Sequence, residues 1–344
     1  MSIRLPTPNG VTESQRSVLW RMLILVILLP LMILTGVSLK QKDRESGRAL
    51  RNVESNLARK HHSGVIVLSM HRSGSSLLTG LLTMMGLNTG PSKDLIEGNE
   101  SNKFGFFERW DVISQNEALL SMQGLRWDHE PAKYDPLAGS QATRSKGGFS
   151  DGRRAIEYFN DPANRPFVMK DPRLCITIRT WLPLFSSLPA VVFTYRHPLD
   201  VAMSLRRYYG FSVVRGLHMW YTYNRMAIQQ SLDLCRVVTS DRKIMKSPQL
   251  EMKRIYTMLR DRCGIEVPRQ LSDADIEAFV DLDLQHGRES LLHERCDPEV
   301  YKPPAEWQDA EHSELTVLGK AMAAYCAMEN GEAFDPFFKW DEEL

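Results

Sequence analysis

Short apolar runs alternate with amphipathic stretches along most of the chain. Runs rich in β-branched residues at 64–69, 167–169 and 190–195 are typical of buried parallel strands, and 236–239 is a fourth candidate. Helical spacing of apolar positions predicts helices over 111–123, 152–160, 173–186, 198–208, 215–234 and, near the end, 315–328. This alternation predicts an α/β fold built on one parallel sheet.

The N-terminal end carries a different pattern. From Met22 to Leu39 the sequence is uncharged and dominated by Leu, Ile, Val and Met, close to the ~20 apolar residues that span a bilayer. We therefore predict a membrane-spanning signal-anchor helix over 18–39, after a tail at 1–17. A cleaved signal peptide or a buried helix are the alternatives, although the apolar run is longer than a signal-peptide core. Basic residues flank it on both sides, so the membrane orientation stays open.

A polar, charged stretch at 40–62 is interpreted as a stem, and 63–344 as the folded domain. Of the 344 residues, 43% are hydrophobic, which suffices for a sizeable core, and the net charge of +1 argues against a nucleic-acid partner. The five cysteines are widely spaced and form no C-x-x-C pair, so we predict neither a metal site nor a disulfide framework.

The first candidate for chemistry is the segment that joins the strand at 64–69 to a predicted helix. Its sequence, residues 69–76, is Ser-Met-His-Arg-Ser-Gly-Ser-Ser. Free amides at a helix N-terminus favour an anion, and Gly74 permits close backbone approach. Arg72 adds a fixed positive charge, and the hydroxyls of Ser73, Ser75 and Ser76 add donors. The segment therefore predicts a phosphate or sulfate site, with a serine-capped tight turn as the plain structural alternative.

A nucleoside-triphosphate loop is the natural competitor. It would carry the pattern G-x-x-x-x-G-K-[ST], whereas this segment has no lysine and only one glycine. An ordinary P-loop ATPase or kinase is therefore disfavoured.

A second strand-to-helix junction repeats the chemistry at 195–204. Arg196 follows the strand at 190–195, Pro198 suits a first helical turn, and Ser204 lies two turns further on. Two anion sites at strand ends of one sheet suit a ligand that carries phosphates at both ends.

These motifs closely resemble those of the sulfotransferases that use 3′-phosphoadenosine 5′-phosphosulfate (PAPS). Residues 70–77 resemble the family's 5′-phosphosulfate loop, and Arg196 with Ser204 resembles its 3′-phosphate motif. Residues 105–108 (Gly-Phe-Phe-Glu) and 170–173 (Lys-Asp-Pro-Arg) are similar to segments of membrane-bound and bacterial members. The resemblance runs from about residue 64 to 288. It implies a three-layer, P-loop-like sulfotransferase fold, PAPS as co-substrate and no metal.

The chain departs from the family pattern in two places. Many cytosolic members have lysine where this chain has Arg72, a change shared by members that act on sugars or proteins. The glycine-rich R-K-G segment that cytosolic members use for the 3′-phosphate is absent, and Arg288 is only a weak substitute, with a solvated surface arginine as the alternative.

The resemblance also implies catalytic roles. Arg72 is expected to stabilise the leaving phosphate and Lys170 to contact the transferring sulfuryl group. We nominate Glu108 as the base because the apolar residues before it would desolvate its carboxylate. Asp171, His71 and His129 are alternative bases, and pairing of Glu108 with Arg109 or another neighbour is the structural alternative. Asp171 and Arg173 equally suit a structural ion pair.

The acceptor is not specified by the sequence. Analogy with the family favours a glycan, with a lipid or a protein tyrosine as alternatives, and scattered aromatic residues such as Trp127, Tyr208 and Tyr209 offer stacking surfaces. A phosphotransferase or a catalytically silent nucleotide-binding module are the competing functions. The architecture fits a Golgi protein facing the lumen in a eukaryote, or an inner-membrane protein in a bacterium.

Overall fold

Four parallel strands form the central sheet. They are β1 (Gly64–Leu68), β2 (Phe167–Lys170), β3 (Ala190–Tyr195) and β4 (Arg236–Ser240), and they lie in the order β2-β1-β3-β4. Every residue of β1, β2 and β3 is buried, which explains why their sequences are almost continuously apolar. The predicted α/β class with one parallel sheet is confirmed.

Alternate residues of each strand enter different cores. In β1, Ile66 and Leu68 belong to the larger apolar cluster, whereas Val65 and Val67 belong to a second, separate cluster. Because successive side chains of a strand point to opposite faces, the two clusters mark two faces of the sheet, each covered by helices. The arrangement is therefore three-layered.

The helices occupy much of the remaining described chain. Numbered in chain order, they are α1 (Ser75–Met84), α2 (Trp110–Ser121), α3 (Pro136–Ala142), α4 (Ser150–Asn160), α5 (Leu174–Trp181), α6 (Pro198–Tyr209), α7 (Val213–Gln229), α8 (Asp241–Lys246), α9 (Pro248–Thr257), α10 (Asp273–Phe279) and α11 (His312–Asn330). A π-helical segment, Met258–Arg262, extends α9.

Two predicted helices have different ends. The helix predicted over 173–186 stops at Trp181 and continues as a 3-10 turn, Leu182–Leu184, because Pro183 cannot donate the next helical hydrogen bond. The helix predicted over 215–234 begins at Val213, where the Ser212 hydroxyl caps it, and ends at Gln229.

The structure, a computed structural model, describes residues 62–98, 105–129, 131–145, 147–280 and 312–341. The predicted anchor at 18–39, almost all of the predicted stem and Arg288 lie outside these ranges. Within them, no helix combines the length and apolarity that a membrane crossing requires.

The structure corrects the prediction that the cysteines form no disulfide framework. Cys235, at the start of β4, is bonded to Cys263, 28 residues later, with their Cα atoms 5.6 Å apart. Cys175 is a free and buried thiol. The prediction failed because it relied on local spacing, whereas this pair is brought together by the packing of the π-helical segment beside the sheet.

Candidate active site

The strand order creates a crevice between β1 and β3. From β1 the chain crosses to β2 on one side of it and then passes back to β3 on the other side. In parallel α/β sheets the point where the connections diverge in this way opens a ligand crevice at the carboxyl ends of the strands. The two predicted anion motifs follow β1 and β3, so both border this crevice.

The loop after β1 presents unused hydrogen-bonding groups. Gly74 is the N-cap of α1, and no side chain caps the helix there, so the first-turn amides have no intrahelical partner. The Ser73 hydroxyl is fully buried and finds no hydrogen-bond partner among the described residues. A buried polar group without a partner is costly, which indicates a group held ready for a ligand.

The backbone of this loop is held in a strained shape. Arg72 (φ 66°) and Gly74 (φ 80°) both adopt the left-handed conformation. A β-carbon at Gly74 would lie 2.6 Å from Asp241 Oδ1, so only glycine fits there. For Arg72 a left-handed φ costs about 1–3 kcal/mol, and such strain is concentrated at functional sites.

Arg72 joins the two motifs directly. Its Nε donates to the Ser204 Oγ at 2.9 Å, and its guanidinium lies 4.0 Å from the centre of the Tyr208 ring. Ser204 and Tyr208 are one turn apart on α6, which follows the β3 motif. The structure therefore brings the predicted 5′ and 3′ motifs together in one crevice.

Arg196 borders the same crevice. Its Nε lies 3.4 Å from Asp200 Oδ2 and 3.6 Å from Asp241 Oδ2. Asp241 also approaches Gly74, so it connects the Arg196 side of the crevice to the loop after β1. Our sequence analysis missed Asp241. Its place directly after β4, at the same end of the sheet, was the signal that could have found it.

Lys170 and Glu108 form a buried ion pair beside the loop. The Lys170 ammonium at the end of β2 donates to the Glu108 carboxylate, to the Phe106 carbonyl at 3.1 Å and to the Ser76 hydroxyl at 3.2 Å. Phe107, which lies between Phe106 and Glu108 in the chain, has a left-handed φ of 58°. Arg109 donates instead to Asp111, so the structural pairing considered for Glu108 is made with Lys170 and not with Arg109.

The electrostatics of Glu108 follow from this placement. Burial raises the pKa of the Glu108 carboxyl, and the neighbouring Lys170 opposes that rise. A carboxylate with a raised pKa is a stronger base than one in water, so the environment suits proton acceptance.

Asp171 belongs to a buried hydrogen-bonded network. It accepts from the Asn116 amide at 2.9 Å and from the Arg173 backbone and guanidinium at 3.0 and 2.9 Å. Arg173 also donates to Glu117 at 2.7 Å. This is the structural ion pair foreseen as one reading of Asp171 and Arg173.

His71 is the remaining unusual group. Its ring centre lies 4.5 Å from that of Trp127, with the two rings tilted by 41°, and it meets Tyr223 edge-on at 5.7 Å. Its Nε2 is buried without a partner among the described residues. Burial, followed by the charges of Arg173, Lys170 and Arg72, lowers the pKa of His71 well below its usual value. The imidazole is therefore neutral near pH 7. His129, the other histidine considered, is exposed.

Among the described residues, no group of three or more His, Cys, Asp or Glu side chains is placed to hold a metal ion.

Comparison with known proteins finds distant structural similarity only. No family model matches the sequence, and no curated protein matches it. The sulfotransferase domain of the olefin synthase from Synechococcus PCC 7002 is 17% identical, with a TM-score of 0.40 over 77% of this chain and 97% of that one. A crystal structure of retinol dehydratase in complex with androsterone and the inactive cofactor PAP is 14% identical, with a TM-score of 0.36 over 81% of this chain and 85% of that one. Similarities this weak carry no argument, so the function rests on the geometry of this chain.

Proposed function

We propose that the chain transfers a sulfuryl group from PAPS to an acceptor hydroxyl. The proposal rests on the contact between Arg72 and Ser204, because this contact joins two separate anion motifs into one site. A nucleotide with an anionic group at each end needs such a site, whereas a nucleoside triphosphate, with one linear chain of phosphates, does not.

The residues present fit this co-substrate. The amides of the first turn of α1 and the hydroxyls of Ser73, Ser75 and Ser76 would hold the 5′-phosphosulfate, with Gly74 allowing close approach. At the other end, Arg196 and Ser204 would hold the 3′-phosphate. Arg72 would supply the uncompensated charge that such a ligand requires. Arg196 would exchange its contacts with Asp200 and Asp241 for the 3′-phosphate.

The reaction resembles phosphoryl transfer in its physical demands. The acceptor oxygen forms a bond to sulfur while the bond from sulfur to the phosphate oxygen breaks, and 3′-phosphoadenosine 5′-phosphate leaves. Arg72 would stabilise the charge that grows on the leaving phosphate, and Lys170 would contact the sulfuryl oxygens. Both act by positioning and charge.

We assign to Glu108 the acceptance of the proton from the acceptor hydroxyl. Lys170 links the Glu108 carboxylate to the loop, because its ammonium also contacts Ser76. In purified Glu108→Gln protein we expect a loss of about 10²–10⁴-fold in kcat, the usual size of a general-base contribution, with 3′-phosphoadenosine 5′-phosphate binding retained. Near-normal turnover in a folded Glu108→Gln protein would move the role to another group, His71 first.

The acceptor and location extend the same proposal. We infer a glycan acceptor and a domain on the non-cytosolic side of a membrane, in the Golgi lumen if the protein is eukaryotic. The disulfide between Cys235 and Cys263 supports a non-cytosolic location for the domain, since such bonds persist chiefly in oxidising compartments.

The deciding experiment is calorimetric titration with 3′-phosphoadenosine 5′-phosphate, with adenosine 5′-phosphate and with ATP. We expect the first ligand to bind at least 100-fold more tightly than either of the others, because only it engages Arg196 and Ser204 together with the loop. A preference for ATP would establish the phosphotransferase alternative. Tight binding without transfer of labelled sulfate to any glycan, lipid or tyrosine peptide would establish a silent binding module.

A further inference from the structure

A cavity of about 410 Å3 lies on the N-terminal half of α7, outside the residues assigned above. Its volume is in the range of small-molecule sites, about 300–1,000 Å3. It is lined by Asp128, Pro131, Ala132, Ser212, Val214, Arg215, His218, Met219 and Thr222.

An aromatic cluster connects this cavity to the anion loop. Trp127 packs against His71, the residue before Arg72, and against Phe211 at 6.0 Å and Tyr209 at 5.3 Å between ring centres. The residues that follow Trp127 and Phe211 in the chain, Asp128 and Ser212, line the cavity. The cluster therefore contacts the loop at His71 and is next in the chain to two residues of the cavity lining, and Tyr209 in it is about half exposed.

The charges of the lining cancel. Arg215 donates to the Asp128 carboxylate at 3.0 Å and to its carbonyl at 2.9 Å, and the exposed Arg126 reaches the same carboxylate from outside the cavity. Burial, with the charge of Lys320, lowers the pKa of His218, so its imidazole is neutral and offers one donor and one acceptor. An anionic ligand would therefore have to displace the Asp128 carboxylate from Arg215, the guanidinium of this lining.

The lining is also mixed in polarity. Hydroxyl, imidazole, carboxylate and guanidinium groups alternate with the apolar surfaces of Pro131, Val214 and Met219. Such a mixture beside exposed aromatic rings suits a polyhydroxylated ring, which has polar edges and apolar faces. A steroid or an acyl chain would remove water from the His218 imidazole and the Thr222 hydroxyl without replacing its hydrogen bonds, which is costly.

We propose that this cavity is a distal acceptor subsite that binds an uncharged sugar unit of a glycan whose reacting unit lies at the anion loop. The inference rests on the proposed function and extends it, because it places the glycan along the Trp127 cluster and excludes a uronate or sulfate at the distal unit.

The test uses two matched variants. Ala132 is an exposed residue in the 3-10 turn Pro131–Lys133, so Ala132→Trp fills the cavity without disturbing the core. Ala163 is an exposed alanine in an equivalent turn, Pro162–Asn164, and does not line the cavity, so Ala163→Trp is the control. Thermal melting of both variants checks their folding.

Binding of uncharged and uronate-containing disaccharides is measured by calorimetry without donor, using full-length protein. We expect uncharged disaccharides to bind, Ala132→Trp to weaken them at least tenfold and Ala163→Trp to leave them unchanged. Asp128→Asn, which leaves Arg215 uncompensated, should improve binding of the uronate ligands. Three results would each overturn the assignment. They are a wild-type preference for uronates, sugar binding that Ala132→Trp does not change, and competition by a long-chain alcohol that Ala132→Trp abolishes.

The result is separable from the fate of the proposed function. Binding of sugar without binding of 3′-phosphoadenosine 5′-phosphate would retain the cavity as a sugar site and reject its role as an acceptor subsite. Binding of the nucleotide without any sugar binding sensitive to Ala132→Trp would reject the subsite and leave the proposed transfer intact.

Discussion

Arg72 and Arg173 both follow strands of the same sheet, yet their surroundings differ. Arg173 donates to two carboxylates, Asp171 and Glu117. Arg72 contacts only neutral groups, the Ser204 hydroxyl and the Tyr208 ring, and forms no ion pair within the described part of the chain. Burial alone would lower the pKa of Arg173, but the two carboxylates raise it.

The difference separates a structural cation from a cation that is available to a ligand at this end of the sheet. A buried cation whose charge is already balanced contributes to the architecture, and an added anion would have to displace its partners. A cation held by neutral groups keeps its charge available, which makes Arg72 the natural anchor for an anionic ligand. Four experiments test this contrast, starting with the largest expected effect.

Arg72→Ala should leave the protein folded and reduce kcat/KM for sulfuryl transfer by about 10³-fold, the scale of losing a charge-stabilising donor in a transition state. Isothermal calorimetry and steady-state kinetics measure the loss. Arg260→Ala is the control, since Arg260 also lies near a tyrosine ring, Tyr256, but on a solvent-exposed surface. Equal effects of the two variants would remove Arg72 from the site.

Arg173→Met should reduce the stability of the fold, whereas Arg72→Ala should reduce catalysis. It leaves the Asp171 carboxylate buried with one fewer partner, and breaking such a pair costs about 3–5 kcal/mol. Urea unfolding measures the change in the free energy of unfolding. Should the variant retain full stability but lose nucleotide binding, Arg173 would be a ligand contact and the contrast with Arg72 would be wrong.

Lys170→Met should lower kcat by about 10²-fold and alter its pH dependence. Lys170 opposes the rise that burial imposes on the pKa of Glu108, so its removal raises that pKa further. The acidic limb of the pH–rate profile should therefore move to higher pH. Lys170→Arg keeps the charge and should restore the limb, whereas an unmoved limb in Lys170→Met would show that Glu108 is not the titrating base.

His71→Gln should flatten the dependence of stability on pH. Because the folded state lowers the pKa of His71 below its usual 6.5, the unfolded state binds more protons under acidic conditions. Stability therefore falls as the pH drops below about 6.5, by at most about 1.4 kcal/mol per pH unit for this one group. Thermal melting between pH 7.5 and 5 compares the slopes of wild type and variant. Parallel slopes would contradict a buried neutral His71.

The strands were the most predictable part of the fold. β1, β2 and β3 begin and end within one residue of their predicted bounds, because a strand buried on both faces must be a short apolar run. Helix ends were less predictable. The Ser212 cap and the break before Pro183 depend on local hydrogen bonds that apolar spacing does not describe.

In the site, sequence identified the residues but not their contacts. Arg72, Arg196, Ser204 and Lys170 stand at or just after strand ends, a position that alone marks them as candidates. Three contacts depend on how separate segments pack: Arg72 with Ser204, Lys170 with Glu108, and Asp241 with Gly74. The contacting residues are 62 to 167 positions apart in the chain, so no local pattern reports their proximity.

The bond between Cys235 and Cys263 has a practical consequence for anyone who prepares this protein. Closing a 28-residue loop of this kind stabilises a fold by about 3–4 kcal/mol. Material made in a reducing bacterial cytoplasm, or stored with dithiothreitol, would lose that contribution at the edge of the sheet next to β4. Secretory expression and thiol-free buffers are the appropriate choices for every assay described above.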